Sequence, residues 1–503
     1  MNIKRAKEEI KNTIQAYLMK DAYGEYEIPV MGQRPVFLIG APGIGKTQIM
    51  EQIARECQIG LVSYTITHHT RQSAIGLPFI SQKEFAGQTR PVTEYTMSEI
   101  IASVYNEIEK TGLTEGILFI DEINCVSETL APAMLQFLQC KTFGSHEVPK
   151  GWLIVAAGNP PEYNKSVREF DVVTMDRVKK IEVEPDFEAW KEYAYTADVH
   201  ASVISYLNTK PKNFYRMEST VDGKCFATPR GWEDLSRLIK VYEKLKKTVD
   251  REVVVQYIQH PQIAGDFANY LELFYKYRTD YQIDRILAGH IDDIMVKKAA
   301  HASFDERLGV TGLILSRLNT AFGELFHGEQ ELEDLYAVLL DVREALTGGF
   351  AVHPVLYYKD AVSRYAADYL KKKKAGLLTR EQDYACRNVC DILNQYLQQI
   401  KKAGIQDSKT VFAFLKQSFA LKKQKYENGF DASALMLENA FNFMEVAFSQ
   451  GQEMVIFITE LNSSAYAVAF LQQYECERYY QYNRELLFRE NAGRILKRIQ
   501  ELG

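Results

Sequence analysis

The glycine-rich segment at residues 40–47 constrains the fold of this 503-residue chain more than any other feature of its sequence. It reads Gly-Ala-Pro-Gly-Ile-Gly-Lys-Thr and lies between an apolar run at 36–39 and a segment of helical character at 46–57. Glycines let the backbone wrap closely around phosphate oxygens, and the N-terminal end of the following helix is electropositive. The segment therefore predicts a loop that binds nucleotide phosphates, with Lys46 at the β- and γ-phosphates and the Thr47 hydroxyl on magnesium. The residues predicted to contact the nucleotide are Gly40, Ala41, Pro42, Gly43, Ile44, Gly45, Lys46, Thr47 and Gln48.

Short apolar runs recur along the first third of the chain, separated by segments of helical character. They lie at residues 36–39, 61–64, 117–120 and 152–156. Apolar strands without alternation, separated by helices, are typical of a parallel sheet whose two faces are both covered. An alternating segment near residues 75–96 interrupts this pattern and predicts an inserted hairpin.

Polar side chains follow two of these predicted strands. Asp121 and Glu122 come directly after the run at 117–120, and Asn159 follows the run at 152–156. The carboxyl ends of parallel strands form the edge at which ligands of such sheets bind. We expect Asp121 to act on magnesium, Glu122 to orient and deprotonate the attacking water, and Asn159 to hold the same water from the opposite side.

Helical patterns dominate the chain after about residue 185. Thr228-Pro229-Arg230 opens one helix, in which apolar residues recur with the 3.6-residue period. A chain of this length exceeds a single hydrophobic core. The fold class that we predict is an α/β P-loop NTPase core with helices on both faces of a parallel sheet, followed by an α-helical lid and a large all-α C-terminal region. The predicted domain limits are 1–185 for the core, 186–290 for the lid and 291–503 for the rest.

The charge balance and the hydropathy of the chain restrict its partners and its location. The formal net charge is -6 and the pI about 6.0, so the chain lacks the basic excess typical of proteins that grip nucleic acid. Four consecutive lysines at 371–374 suit the negative end of a helix better than a nucleic-acid patch. No segment approaches the ~18 uninterrupted apolar residues of a membrane span, and the first residues do not form a signal peptide. We expect a cytoplasmic protein without a membrane span, for which nucleic acid is an unlikely partner.

These motifs, in this order, resemble those of the AAA+ ATPases, and in particular of the MoxR-like group. Residues 40–47 match the Walker A box, Asp121 and Glu122 match the Walker B acids, and Asn159 matches the sensor-1 asparagine. The resemblance extends over residues 1–290 and includes the insert near 75–96, which is similar to the helix-2 insert of the group.

The same resemblance implies a role for two arginines. Met175-Asp176-Arg177-Val178 is similar to the stretch that carries the arginine finger, although Val178 replaces an aromatic residue there. Arg177 is thereby implied as the finger, with Arg168 as the competing candidate. Thr228-Pro229-Arg230 is similar to the sensor-2 motif, which implies that Arg230 contacts the nucleotide.

The resemblance implies an ATPase that uses ATP and Mg²⁺, assembles with itself into a ring, usually a hexamer, and remodels a protein partner in a chaperone-like way. Partners of MoxR-like proteins often carry a von Willebrand factor A domain. Two alternatives stay open from the sequence. One is a nucleic-acid-associated NTPase motor, and the other is a nucleotide-switched scaffold with little turnover.

Overall fold

A computed structural model describes residues 1–66, 74–85, 87–143, 146–163, 167, 170–220, 223–348, 353–449 and 451–486. The chain divides into two compact units. One comprises Met1–Ala189 with Asp368–Arg380, and the other comprises Trp190–Ala367 with Glu381–Gly503. The three domain limits given above stay predictions.

The first unit is an α/β structure. Its strands are β1 (Val36–Gly40), β2 (Gly60–Thr65), β3 (Pro78–Phe85), β4 (Gln88–Tyr95), β5 (Gly116–Asp121), β6 (Thr142–Phe143), β7 (His146–Glu147), β8 (Trp152–Gly158) and β9 (Lys179–Val183). Its helices are α1 (Ile3–Leu18), α2 (Lys46–Cys57), α3 (Glu99–Thr111), α4 (Ala131–Cys140) and α5 (Val172–Met175), and α6 (Phe187–Thr196) begins in it.

Five of these strands form one parallel sheet in the order β2-β5-β8-β1-β9. Every residue of β8 is buried, as are residues 116–120 of β5, so both sheet faces are covered. The predicted parallel sheet is confirmed. Ile39 lies opposite Gly158 and Thr65 opposite Asp121, which brings the carboxyl ends of neighbouring strands to one edge.

Two hairpins accompany the sheet. Strands β3 and β4 pair antiparallel from Pro78 with Tyr95 to Phe85 with Gln88, in the segment where the sequence predicts a hairpin, and most of their side chains are exposed. Strands β6 and β7 have two residues each and were not predicted, because so short a pair has no readable periodicity.

The second unit is mainly helical. Its helices after α6 are α7 (Ala201–Thr209), α8 (Pro229–Lys244), α9 (Arg251–Tyr257), α10 (Pro261–Tyr281), α11 (Ile283–Leu287), α12 (Asp293–His301), α13 (Phe304–Thr347), α14 (Pro354–Lys374), α15 (Arg380–Lys402), α16 (Ser408–Phe448), α17 (Gln452–Ser463) and α18 (Ala465–Gln473), of which α14 ends in the first unit. The long α13 and α16 pack with α17 and α18 around Phe322, Phe441, Phe457 and Phe470. The predicted all-α character of the C-terminal region is confirmed.

A hairpin interrupts the segment that the sequence assigned entirely to helices. Strands β10 (Arg216–Thr220) and β11 (Gly223–Ala227) pair antiparallel just before α8.

Across the part of the chain that the structure describes, no single helix is long and apolar enough to cross a bilayer. Helices α17 and α18, bent by 89° at their junction, meet that test only as a pair.

The Trp152 side chain sets a packing constraint inside the sheet. Its ring lies over Gly116 on the neighbouring strand β5 and over Gly60 on β2, one strand further, and a Cβ atom on Gly116 would lie 2.7 Å from the ring. Trp152 is only 2 % exposed and therefore has no room to retreat.

We expect Gly116→Ala to lower the free energy of unfolding by about 1–3 kcal/mol, because the added methyl group overpacks this contact. Urea unfolding of the purified variant measures the change. The matched control is Gly32→Ala, where the nearest atom to a new Cβ lies 3.6 Å away. Equal stability of Gly116→Ala and Gly32→Ala would contradict the packing argument.

Candidate active site

The loop at residues 40–47 connects the end of β1 to the start of α2. Gly43 and Gly45 have φ angles of 76° and 92°, in the left-handed region that favours glycine. At Gly40 the limit is space, because a Cβ atom would lie 2.6 Å from the carbonyl oxygen of Val183 on β9. The glycines of the motif thus meet local backbone requirements of this fold.

The side chains of the loop divide into anchors and accessible positions. Ala41 and Ile44 are buried and fix the loop against the core. Pro42 is half-buried, and Gln48 is exposed in the first turn of α2. Gly45 caps α2 and has no side chain that could accept hydrogen bonds from the first N–H groups of the helix. Those groups are the ones that an anion at this end would contact.

The Lys46 ammonium group lies inside the loop. The residue is 8 % exposed, and Nζ donates to the carbonyl oxygens of Gly40 at 2.7 Å and Ala41 at 2.8 Å. It also donates to Oδ1 of Asn159 at 2.9 Å. These oxygen atoms help to compensate the buried charge, and a phosphate oxygen is a stronger acceptor than a neutral carbonyl.

Thr47 and Asp121 come together at the carboxyl edge of the sheet. Oγ1 of Thr47 donates to Oδ2 of Asp121 at 3.0 Å, and the other carboxylate oxygen accepts from the Glu122 backbone N–H at 2.9 Å. A hydroxyl and a carboxylate are the hard oxygen donors that Mg²⁺ prefers, beside water and substrate phosphates. This donor pair fits a magnesium ion that is also bound by a nucleotide.

Glu122 has an unusual backbone conformation. Its φ and ψ angles are 57° and 35°, a left-handed conformation that is uncommon for a residue with a side chain. The chain turns sharply here out of β5 into a 3₁₀ turn at Ile123–Cys125, and Cys125 N donates to the Glu122 carbonyl at 2.8 Å. Non-glycine residues in this conformation cluster at functional sites.

Asn159 follows β8, the strand that lies between β5 and β1. It therefore stands between the Asp121–Glu122 pair and the phosphate-binding loop. Its side chain accepts from Lys46, and its main-chain carbonyl accepts from Nδ2 of Asn124 at 2.8 Å. Asn124 was not predicted from the sequence. The signal that could have indicated it is an amide residue two positions after the acidic pair.

Arg177 lies in the same unit, after the short helix α5. It is exposed, and its guanidinium group donates to Oε1 of Gln139. Within the described ranges, no ion pair joins Arg177 to Asp171 or Glu182. Asp171 instead caps α5, and hydrogen bonds from Thr174 lower the pKa of its carboxyl group. Arg168 lies outside the described residues.

Arg230 belongs to the second unit and is exposed in the first turn of α8. Thr228 caps this helix by accepting from Gly231 N at 3.2 Å, and Pro229 occupies its first turn. The predicted helix start is confirmed. The side chains that the first unit brings together are those of Lys46, Thr47, Asp121 and Asn159.

Comparison with known families connects this geometry to a class of proteins. Residues 35–178 match the family model described as AAA domain (dynein-related subfamily). A comparison with curated proteins found no match to the chain. The matched range begins just before β1 and ends just after Arg177, so it contains the loop, the acidic pair and Asn159. The match and the loop geometry together indicate that residues 35–178 are an ATP-binding AAA+ ATPase domain.

Proposed function

We propose that this domain hydrolyses ATP with magnesium, at the edge of the sheet where the loop, the acidic pair and Asn159 meet. The observation that carries the proposal is the convergence of two hydrogen-bonded pairs, Lys46 with Asn159 and Thr47 with Asp121, whose first members are adjacent in the loop. These residues come from three separate stretches of sequence. Core packing alone does not require a lysine, a carboxylate and an amide to meet in this way.

Lys46 binds the phosphates in this proposal, and Thr47 and Asp121 hold the magnesium ion. Lys46 exchanges the carbonyl oxygens of Gly40 and Ala41 for β- and γ-phosphate oxygens, which are better acceptors for its ammonium group. Thr47, with Asp121 directly or through water, would hold the magnesium ion. The bound ion would spread the negative charge of the phosphates and orient them for attack.

Glu122 and Asn159 activate and orient the attacking water. The Glu122 carboxylate accepts a proton from the water, and the Asn159 amide orients the same water by a hydrogen bond. The left-handed backbone of Glu122 supports this assignment, because it places the residue at a sharp turn just beyond the end of a buried strand. Asn159 is already in contact with Lys46, which would lie on the transferred phosphate.

We propose that Arg177 acts as the arginine finger in the site of a neighbouring subunit. Its exposure supports the proposal, because the guanidinium group can be reached from outside its own subunit. Within the described ranges it makes no direct ion pair with Asp171 or Glu182, although, beside the hydrogen bonds from Thr174, its charge contributes to lowering the pKa of the Asp171 carboxyl group. A planar guanidinium group suits the charge that spreads over the transferred phosphoryl group. The assembly that such a finger requires is a ring of identical subunits, usually a hexamer in the class that the motifs resemble.

Arg230 and the biological role are proposed on the resemblance. Arg230 would contact a nucleotide phosphate as the sensor-2 residue, and its position in the first turn of α8 after a capping threonine supports this. We further propose a MoxR-like, chaperone-like ATPase that remodels a protein partner, with a von Willebrand factor A domain protein as the first candidate. The core, lid and C-terminal domain would then have the limits 1–185, 186–290 and 291–503.

The division of roles between Lys46 and Glu122 is testable with two substitutions. We expect Lys46→Ala to lose tight ATP binding, because nothing replaces the ammonium group. Glu122→Gln keeps the shape of the side chain and loses the base, so we expect ATP binding to persist while turnover falls roughly 10²–10⁴-fold. Calorimetry with ATP and a phosphate-release assay measure the two quantities.

The matched control for the lysine substitution is Lys150→Ala, at an exposed position of the same unit. It should match the wild type in both assays. Unchanged ATP affinity of Lys46→Ala would contradict the assignment of the loop. Turnover by Glu122→Gln within a few-fold of the wild type would mean that another group activates the water. A wild type that binds ATP without magnesium-dependent turnover would instead support a nucleotide-switched scaffold.

A mixing experiment tests whether Arg177 acts in the active site of a neighbouring subunit or in that of its own subunit. Arg177→Ala alone should lose turnover by ~10³–10⁵-fold while ATP binding is retained. In an equal mixture with Glu122→Gln, about a quarter of the interfaces in a ring combine an intact pocket with an intact finger. We therefore expect activity to return when two inactive proteins are mixed.

Subunit exchange is verified by co-purification of the two variants through different tags. If the subunits exchange and no activity returns, Arg177 is not the finger that acts between subunits. The same mixing experiment with Arg168→Ala then tests the competing candidate.

A further inference from the structure

Asn124 is a buried polar residue two positions after Glu122, and the mechanism above leaves it without a role. It is 4 % exposed and lies in the 3₁₀ turn that follows Glu122. Its Nδ2 donates to the carbonyl oxygen of Asn159 at 2.8 Å, across 35 positions of sequence. The side chain thus joins the turn after β5 to the end of β8.

The surroundings of Asn124 restrict its position further. A Cβ atom on Gly158 would lie 2.5 Å from Oδ1 of Asn124, so the amide packs directly against the backbone that leads into Asn159. Among the described residues, Oδ1 has no hydrogen-bond partner although it is buried. An unsatisfied buried acceptor costs stability, and such a group in a folded protein calls for an explanation beyond packing.

The two chain segments joined by Asn124 carry the two groups assigned to the water. Glu122 precedes Asn124 by two residues and is held in the left-handed conformation, and Asn159 supplies the amide on the other side. The distance between these groups depends on how the turn after β5 sits against the end of β8. The pairing between β5 and β8 ends at Ile120 and Ala156, whereas β5 stays paired with β2 up to Asp121 and β8 with β1 up to Gly158. Glu122 and Asn159 each lie directly after the last paired residue of their strand.

We propose that Asn124 is a positioning residue for ATP hydrolysis, which holds the turn that carries Glu122 against the backbone of Asn159. This inference rests on the proposed hydrolysis at the same site. Asn124 acts through its two neighbours and does not itself contact the nucleotide. Loss of its hydrogen bond should therefore lower turnover and leave ATP affinity unchanged.

The first test replaces the amide by an apolar group of similar size. We expect Asn124→Leu to lower kcat roughly ten- to hundred-fold, as misplacement of a reacting group by about 1 Å does, with the Kd for ATP within twofold of the wild type. Asn106→Leu, at an exposed position on α3, is the control and should retain wild-type turnover. Turnover of Asn124→Leu within twofold of the wild type would overturn the proposal, and so would a parallel loss of ATP affinity.

A double-mutant cycle with Glu122→Gln identifies the route by which Asn124 acts, because Asn159→Ala would leave in place the main-chain carbonyl that Asn124 contacts. If Asn124 works by holding the turn that carries Glu122, adding Asn124→Leu to Glu122→Gln should cost less than twofold more turnover. Losses that multiply in the double variant would show independent roles and overturn the proposal.

A second variant covers the case in which Asn124→Leu does not fold. Asn124→Asp keeps the shape, and only its protonated form can donate to the Asn159 carbonyl. Its turnover relative to the wild type should therefore rise as the pH falls, whereas a flat ratio would overturn the proposal. The wild type and Glu122→Gln are measured in the same series. A wild type without turnover refutes the proposed function itself, whereas an active wild type with an unaffected Asn124 variant refutes this inference alone.

Discussion

Parallel pairing of β8 with β5 on one side and with β1 on the other is the constraint on which the candidate site depends. All three strands point the same way, so their carboxyl ends meet at one edge. Each strand then passes directly into a functional segment: β1 into the loop, β5 into the acidic pair and β8 into Asn159. The pairing of the three strands thus brings the functional residues together, although they are far apart in the sequence.

The ammonium group of Lys46 places a buried positive charge at this edge of the sheet. An ammonium group in a buried position is costly unless oxygen atoms surround it, and here two backbone carbonyls and one side-chain amide do so. These acceptors are neutral, and a phosphate oxygen would be a stronger acceptor for the same ammonium group. Contact between Lys46 and Asn159 also joins the phosphate-binding loop to the segment assigned to the water.

The sequence contained the information for the parallel sheet and for the residues that converge on the site, because each motif directly follows a short apolar strand. It did not predict β9, in which Lys179, Lys180 and Glu182 mask the apolar pattern, or the hairpin of β10 and β11. The apolar period of α8 does not extend past the end of the helix at Lys244, and the next residue, Leu245, is 58 % exposed. The role of Asn124 could not be predicted either, since its hydrogen bond depends on the spatial approach of two strands that the sequence does not align.

In the proposed function, residues 40–47, Asp121 and Asn159 form one site for ATP and magnesium. The most direct measurement is an experimental structure of Glu122→Gln with ATP and Mg²⁺ bound under conditions that prevent turnover. We expect the triphosphate in the loop, the ion at the Thr47 hydroxyl, and Nζ of Lys46 moved from the carbonyl oxygens of Gly40 and Ala41 to phosphate oxygens. An empty loop at saturating ATP, with Lys46 still bound to those carbonyl oxygens, would contradict the account.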